Sequence, residues 1–242
     1  MLKLFGVKKG VKEEDVKNKK KIRTLLDRIE ECDRWGQFDL DISHLALSEW
    51  PPELLILPAV RNIRAHKNNL TVIPDLSKMF RQLEYLNLSR NKIKELNQIQ
   101  FSHFIVLKTV DISRNDIEYL PPEITKVMLL STLHVQQNKI KEFPNGMNEM
   151  LNLRYLDASD NQLEYVGDKL EAIPRLETLN LSGNPKLQVS TLSDRTRMLY
   201  EKRKLLSSKD ERRALVKRAL GIQRSVLLKE QANIISHLNK YP

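Results

Sequence analysis

Cysteine, glycine and aromatic side chains are all scarce in this chain. Cys32 is the one cysteine in 242 residues, so no internal disulfide can form, and a secreted chain of this length would ordinarily carry cysteines in pairs. With only 7 glycines there is neither a G-x-x-x-x-G-K-[ST] phosphate loop nor a G-x-S-x-G nucleophile elbow. The 5 histidines are scattered, no two stand at metal-ligand spacing, and there is no cysteine cluster. No catalytic residue, metal site or cofactor is therefore expected, and the chain reads as a non-enzyme. No apolar run approaches the ~20 residues that span a bilayer. The apolar stretch opening at Met1 is too short for a secretory signal, with Glu13, Glu14 and Asp15 close behind. The expected compartment is intracellular and cytoplasmic, an organellar or cytoskeletal assembly being the alternative.

The formal net charge of +10 suggests a nucleic-acid or acidic-surface binder only if the charge is concentrated. Residues 1–34 carry 11 basic against 7 acidic side chains, and residues 188–242 carry 13 against 5. That leaves 17 against 19 for the middle, so the excess belongs to the two ends.

The middle is periodic. Leucine occurs 39 times, and the frame L-x-x-L-x-L-x-x-N-x-L, with any aliphatic residue at L, recurs along the chain. It fits Val60, Ile63, Ala65, Asn68 and Leu70, then Leu83, Leu86, Leu88, Asn91 and Ile93, then Leu107, Val110, Ile112, Asn115 and Ile117. It fits again from Leu130, Leu153 and Leu176, so the asparagines fall at 68, 91, 115, 138, 161 and 184, in steps of 23 or 24 residues. Leu40, Ile42 and Leu47 form a degenerate first unit with Leu45 in place of the asparagine. Within each unit aliphatic and polar residues alternate, which predicts a strand with one face buried. Repeated strands linked by equal returns predict a parallel sheet. Asparagine suits the following turn because its amide offers donors and an acceptor to backbone groups left open there.

These residues resemble the leucine-rich repeat family over residues 37–187. The second halves of several units, Trp50-Pro51-Pro52-Glu53-Leu54, Ile73-Pro74, Leu120-Pro121-Pro122-Glu123-Ile124 and Phe143-Pro144, resemble its intracellular Ras-associated subclass, with Asn97 and Gly167 departing from the proline. The resemblance implies an α/β solenoid, a leucine-rich repeat arc with a parallel β-sheet on its concave face, to which the residue pattern at the ends adds an N-terminal capping helix and a C-terminal helical extension. The expected organisation is a basic N-terminal segment and capping helix over 1–36, about seven repeats over 37–187, and a basic helical extension over 188–242.

Repeat solenoids bind through the inner face. Frame positions 2, 3, 5, 7, 8 and 10 are the candidates for it, and the residues chosen as protein-binding are Arg64, Lys67, Tyr85, Arg90, Asp111, Arg114, His134, Tyr155 and Asp157. Lys67, Arg90 and Arg114 share the eighth position of consecutive units and are expected side by side. Tyr85 and Tyr155 share the third, and arginine and tyrosine concentrate interface energy.

The ends read as helices. Val16, Ile22, Leu25, Leu26, Ile29 and Cys32 recur at helical spacing and are expected to cover the first apolar layer, with the Lys19–Lys21 run facing water. Ser208-Lys-Asp-Glu211 reads as a capping box, and Leu220, Leu227, Ile234 and Tyr241 recur every seven residues. Arg195, Arg197, Lys202, Arg203, Lys204, Lys209, Arg212, Arg213, Lys217 and Arg218 lie within 24 residues, enough charge to engage RNA phosphates or an acidic protein surface. The leading expectation is a scaffold or adaptor that binds a protein through its concave face and is fixed in a hetero-complex by its basic ends. The alternatives are a ribonucleoprotein or ribosome component touching RNA through the C-terminal helix, and a regulator of a GTPase or phosphatase.

Overall fold

The computed structural model describes residues 23–30, 32, 38–52, 54, 60–166, 169–170, 173–188 and 192–207. Its centre is one sheet of seven parallel strands in sequential order: β1 (Asp39–Asp41), β2 (Asn62–Arg64), β3 (Tyr85–Asn87), β4 (Thr109–Asp111), β5 (Thr132–His134), β6 (Tyr155–Asp157) and β7 (Thr178–Asn180). Each strand pairs with the next at the offset of one repeat: Ile63 faces Leu86, Leu86 faces Val110, and Val110 faces Leu133. The period of the sequence is thus the register of the sheet.

Every strand covers frame positions 3 to 5. The aliphatic residue at position 4 is fully buried in all seven, while the residues beside it look out on the opposite face. On the far side of the core the chain returns through short 3-10 turns, Leu76–Lys78, Phe101–His103, Pro122–Lys126 and Met147–Glu149. Phe80, Phe101, Phe104 and Phe143 fill the space beneath them with no exposed surface above 1%. Strands about 4.8 Å apart on one side and bulkier turns on the other bend the stack into an arc with the sheet inside.

Asparagine holds the turns. Asn115 Nδ2 donates to the carbonyls of Leu88 and Ile112 at 3.0 Å each, and its Oδ1 accepts the Ile93 amide at 3.1 Å. The same three bonds recur at Asn91, Asn138, Asn161 and Asn184. Asn68 reaches Ile42 O and Ala65 O and accepts from both Leu45 and Leu47, which is how the degenerate first unit manages without its own asparagine.

At the N-terminal end a helix, α1 (residues 23–30), buries Leu25 and Ile29 against the first layer, and Cys32 lies buried beside them. Leu26 departs from the expected stripe: it is exposed, because the adjacent Leu25 takes the inward direction and one residue turns the helix by about 100°. Arg28 fastens the cap, its Nη1 donating to Asp41 O at 2.8 Å and Ser43 O at 3.0 Å. At the other end α2 (Asp194–Ser207) packs on β7. Its start is set by Ser193, whose Oγ accepts the Thr196 amide at 3.3 Å. Val16, Ile22, the Lys19–Lys21 run, the Ser208 capping box and the seven-residue stripe lie outside the described residues.

Candidate functional site

The inner face is made by two side chains per strand and by the turn that follows. In five repeats position 5 is Asp or Asn and position 7 is Ser, and the two bond locally. The carboxylate or amide oxygen of Asp41, Asn87, Asp111, Asp157 and Asn180 accepts the backbone amide of Ser43, Ser89, Ser113, Ser159 and Ser182. A short polar side chain closing on the amide two residues later is a turn device. Repeats two and five break the pattern with Arg64 and His66, and with His134 and Gln136. There the turn lacks its local acceptor, and His66 Nδ1 and Gln136 Oε1 are buried without a hydrogen-bond partner among the described residues.

Position 8 is the least expected part of the site. His44, Lys67, Arg90, Arg114, Gln137, Asp160 and Gly183 all have φ between 53° and 70°, the left-handed region. A non-glycine residue pays roughly 1–2 kcal/mol there, yet six of the seven repeats keep a side chain. Only Gly183 takes the glycine that the backbone favours, and a Cβ on it would sit 2.1 Å from Asp160 Oδ1. The turns are locked in register: Lys67 N donates to Ser89 O, Arg90 N to Ser113 O and Arg114 N to Gln136 O, at 3.0, 2.9 and 2.8 Å.

The sequence-selected residues divide by what occupies them. Lys67, Arg90 and Arg114 lie side by side and exposed, and none forms an ion pair among the described residues. Arg64 Nη1 stands 3.7 Å from Asp39 Oδ2 and its guanidinium 5.8 Å from the Tyr85 ring centroid. The Tyr85 hydroxyl accepts from Asn87 Nδ2 at 3.0 Å. Asp111 and His134 are register partners, and the His134 ring lies 4.9 Å from that of Tyr155. Asp157 lies on the same face but is covered by its neighbours: it is buried, and Oδ1 accepts from the Ser159 amide and hydroxyl and from Asn180 Nδ2. Strands cover positions 3 to 5 only, so positions 2 and 10 fall on the two edges of the arc. Ion pairs between successive repeats run along both, such as Lys108–Glu84 at 2.6 Å and Lys139–Asp116 at 2.6 Å.

Electrostatics sharpens the start of this face. Burial pushes the Asp41 carboxyl up, but the hydroxyl and amide of Ser43 and the Arg28 guanidinium outweigh it and hold the group below the usual carboxylate range. Burial lowers the His66 imidazole against the pull of Asp41, and His44 and Lys67 add to the lowering. Its ring meets that of His44 edge-on at 5.3 Å.

Of the ten C-terminal basic residues, Arg195 and Arg197 have described side chains, and both turn back on the fold. Arg195 Nη2 donates to Pro174 O at 3.1 Å, while Arg197 reaches Leu192 O at 3.1 Å and Asp194 at 3.9 Å. Both contacts fasten α2 to the fold, and Arg195 remains exposed. The side chains of Lys202, Arg203, Lys204, Lys209, Arg212, Arg213, Lys217 and Arg218 lie outside the described residues. Among the described residues no His, Cys, Asp and Glu cluster is able to hold a metal, and no helix is long and apolar enough to cross a membrane.

A one-direction sheet built from 23-residue units, each tied to the last by a buried asparagine, defines a repeat solenoid. Residues 58–123 match the family described as Leucine rich repeat, and residues 151–194 match Leucine Rich repeats (2 copies). The chain is a leucine-rich repeat protein. Adenylate cyclase of Schizosaccharomyces pombe is 34% identical over 48% of this chain and 7% of its own length. Protein flightless-1 homolog of Caenorhabditis elegans is 31% identical over 69% of this chain and 17% of its own. The chain thus spans less than a fifth of the curated relatives it matches. Among solved structures, a leucine-rich repeat protein of Leptospira interrogans superposes at a TM-score of 0.55 with 25% identity, over 63% of this chain and 37% of that one. The leucine-rich repeat domain of a type III effector, XopL, superposes at 0.63 with 21% identity over 69% and 60%.

Proposed function

We propose that the chain is a non-enzymatic intracellular scaffold whose concave face takes an acidic segment of a partner protein across repeats two to four. The observation that carries the reading is the row of Lys67, Arg90 and Arg114. Among the described residues these three cations stand in adjacent left-handed turns without a carboxylate partner; ten other basic side chains of the repeats, Lys108 and Arg154 among them, have one, and the remaining unpaired ones, Arg81, Lys92, Lys94 and Arg175, lie outside these turns. Like charges at neighbouring positions repel, and an acidic ligand relieves that cost. Arg64 and Tyr85, on adjacent strands, supply the guanidinium and ring that anchor interfaces. Asp157 is left out of the contact because its oxygens are engaged within the fold.

Affinity capture with the full chain tests the reading, with nuclease present or absent and at low and raised salt. The expected partner is a protein whose recovery survives nuclease and falls with salt. Recovery abolished by nuclease would move the function to RNA and to the basic C-terminal extension.

A further inference from the structure

The edge where the chain enters each strand carries a second feature. Two residues before the first aliphatic position of the frame stand Arg81, Ile105, Met128, Leu151 and Pro174 in successive repeats. The three central ones are apolar and open: Ile105 is 64% exposed, Met128 73% and Leu151 55%, and Leu129 beside Met128 is 41% exposed. Spacings of 23 residues stack them in register, and Asn152 Nδ2 donating to Met128 O at 2.8 Å ties two of the rows together. Four large side chains exposed this far form a stripe of a few hundred Å², the size at which an apolar patch marks an interaction site.

Charge decides what fits. Cations flanking the stripe are neutralised within the fold, Lys108 by Glu84, Arg154 by Glu177 and Lys126 by Glu149. Cations without an ion pair among the described residues stand at both ends, Arg175 donating to Asn152 Oδ1 at 2.7 Å beside Leu151 and Arg81 near Ile105, and the Ile105 end opens into a cleft of about 620 Å³ lined by Ser77, Lys78, Arg81, Ser102 and His103. Arg81 has no ion pair among the described residues, and Lys78, which pairs with Asp75 at 3.8 Å, keeps a side chain 76% exposed. A second copy of the chain fits poorly: an antiparallel two-fold through Met128 sets Arg81 against Pro174 and Arg175 of that copy, cation near cation. The chain's own residues 208–242 fit no better, with eight basic side chains against three acidic.

We propose that this edge is a docking surface for a protein segment with an apolar centre and carboxylates at one end, the apolar residues lying over Ile105, Met128 and Leu151 and the carboxylates entering the Lys78–Arg81–His103 cleft. This surface is separate from the concave face, so either reading stands without the other.

The test uses the full chain and two synthetic peptides that share one centre of leucine, isoleucine and methionine, one ending in glutamates and one in lysines, followed by fluorescence anisotropy. The glutamate peptide should bind at least tenfold more tightly than the lysine peptide. Met128→Glu should weaken it at least tenfold, and Lys78→Glu with Arg81→Glu should invert the preference. Glycine at positions 67, 90 and 114 should leave its affinity unchanged. All substituted side chains are exposed, and circular dichroism checks that each variant folds. Equal binding of the two peptides, binding indifferent to Met128→Glu, or no binding would overturn the proposal. So would sedimentation showing a dimer that Met128→Glu dissolves, which would assign the stripe to a second copy.

Discussion

Asn115 Oδ1 accepts the backbone amide of Ile93 at 3.1 Å, 22 residues earlier in the chain. The bond joins two repeats through buried groups, and with the donations to Leu88 O, Ile112 O and Ser113 O it reaches four main-chain atoms. Asn115→Leu keeps the volume and removes all four. Buried groups left unpaired cost about 1–3 kcal/mol each, so stability should fall by about 3 kcal/mol or more in urea unfolding. Asn97→Ala is the control. Asn97 is exposed and among the described residues bonds Glu95 at 3.3 Å, so its loss should stay within about 0.5 kcal/mol.

The cap at the N-terminus has its own test. Arg28 donates to Asp41 O and Ser43 O and helps to hold the Asp41 carboxyl low. Arg28→Met keeps the aliphatic stem and deletes the donors. Stability should drop by about 1 kcal/mol, and amide exchange should accelerate first in α1 and β1, since solenoids open from their ends.

Acid should weaken the fold through His66. Burial lowers its imidazole from the ordinary value, 6.5, so the unfolded chain takes up a proton before the folded one does. Nothing is lost above that value. As pH falls through it toward the lowered folded value, stability declines. Urea unfolding of the full chain between about pH 7.5 and 5.5 should show that slope. His66→Ser, which restores the residue found at this position in five other repeats, should flatten it. An equal slope in both proteins would contradict the assignment.

The sheet was readable in the sequence because its register is the 23-residue period, and the asparagine turn because one side chain type meets three backbone needs. The burial of Cys32 followed from helical spacing. Several features lay beyond that reading for local physical reasons. Leu25 and Leu26 compete for one inward direction, and composition cannot say which wins. Asp157 is covered on its own face by Ser159 and Asn180, which bond its carboxylate. The start of α2 had a signal in Ser193-Asp194-Arg195-Thr196, an N-cap hydroxyl before an acidic first turn, which the richer Ser208 segment overshadowed. The stripe of Ile105, Met128 and Leu151 also had one, for it keeps the repeat period two residues ahead of the frame.

The left-handed turns permit the most direct measurement of the central claim, that Lys67, Arg90 and Arg114 are kept for a partner. Glycine is the residue this backbone favours, and Gly183 already occupies the position in the last repeat. K67G/R90G/R114G therefore removes three charges without disturbing the turn. Relieved backbone strain offsets the added freedom of the unfolded chain. In the full-length protein the thermal midpoint should stay level or rise, while affinity for the captured partner falls at least about a hundredfold, or ~2.7 kcal/mol. Unchanged affinity in a variant that melts like the parent would contradict the account.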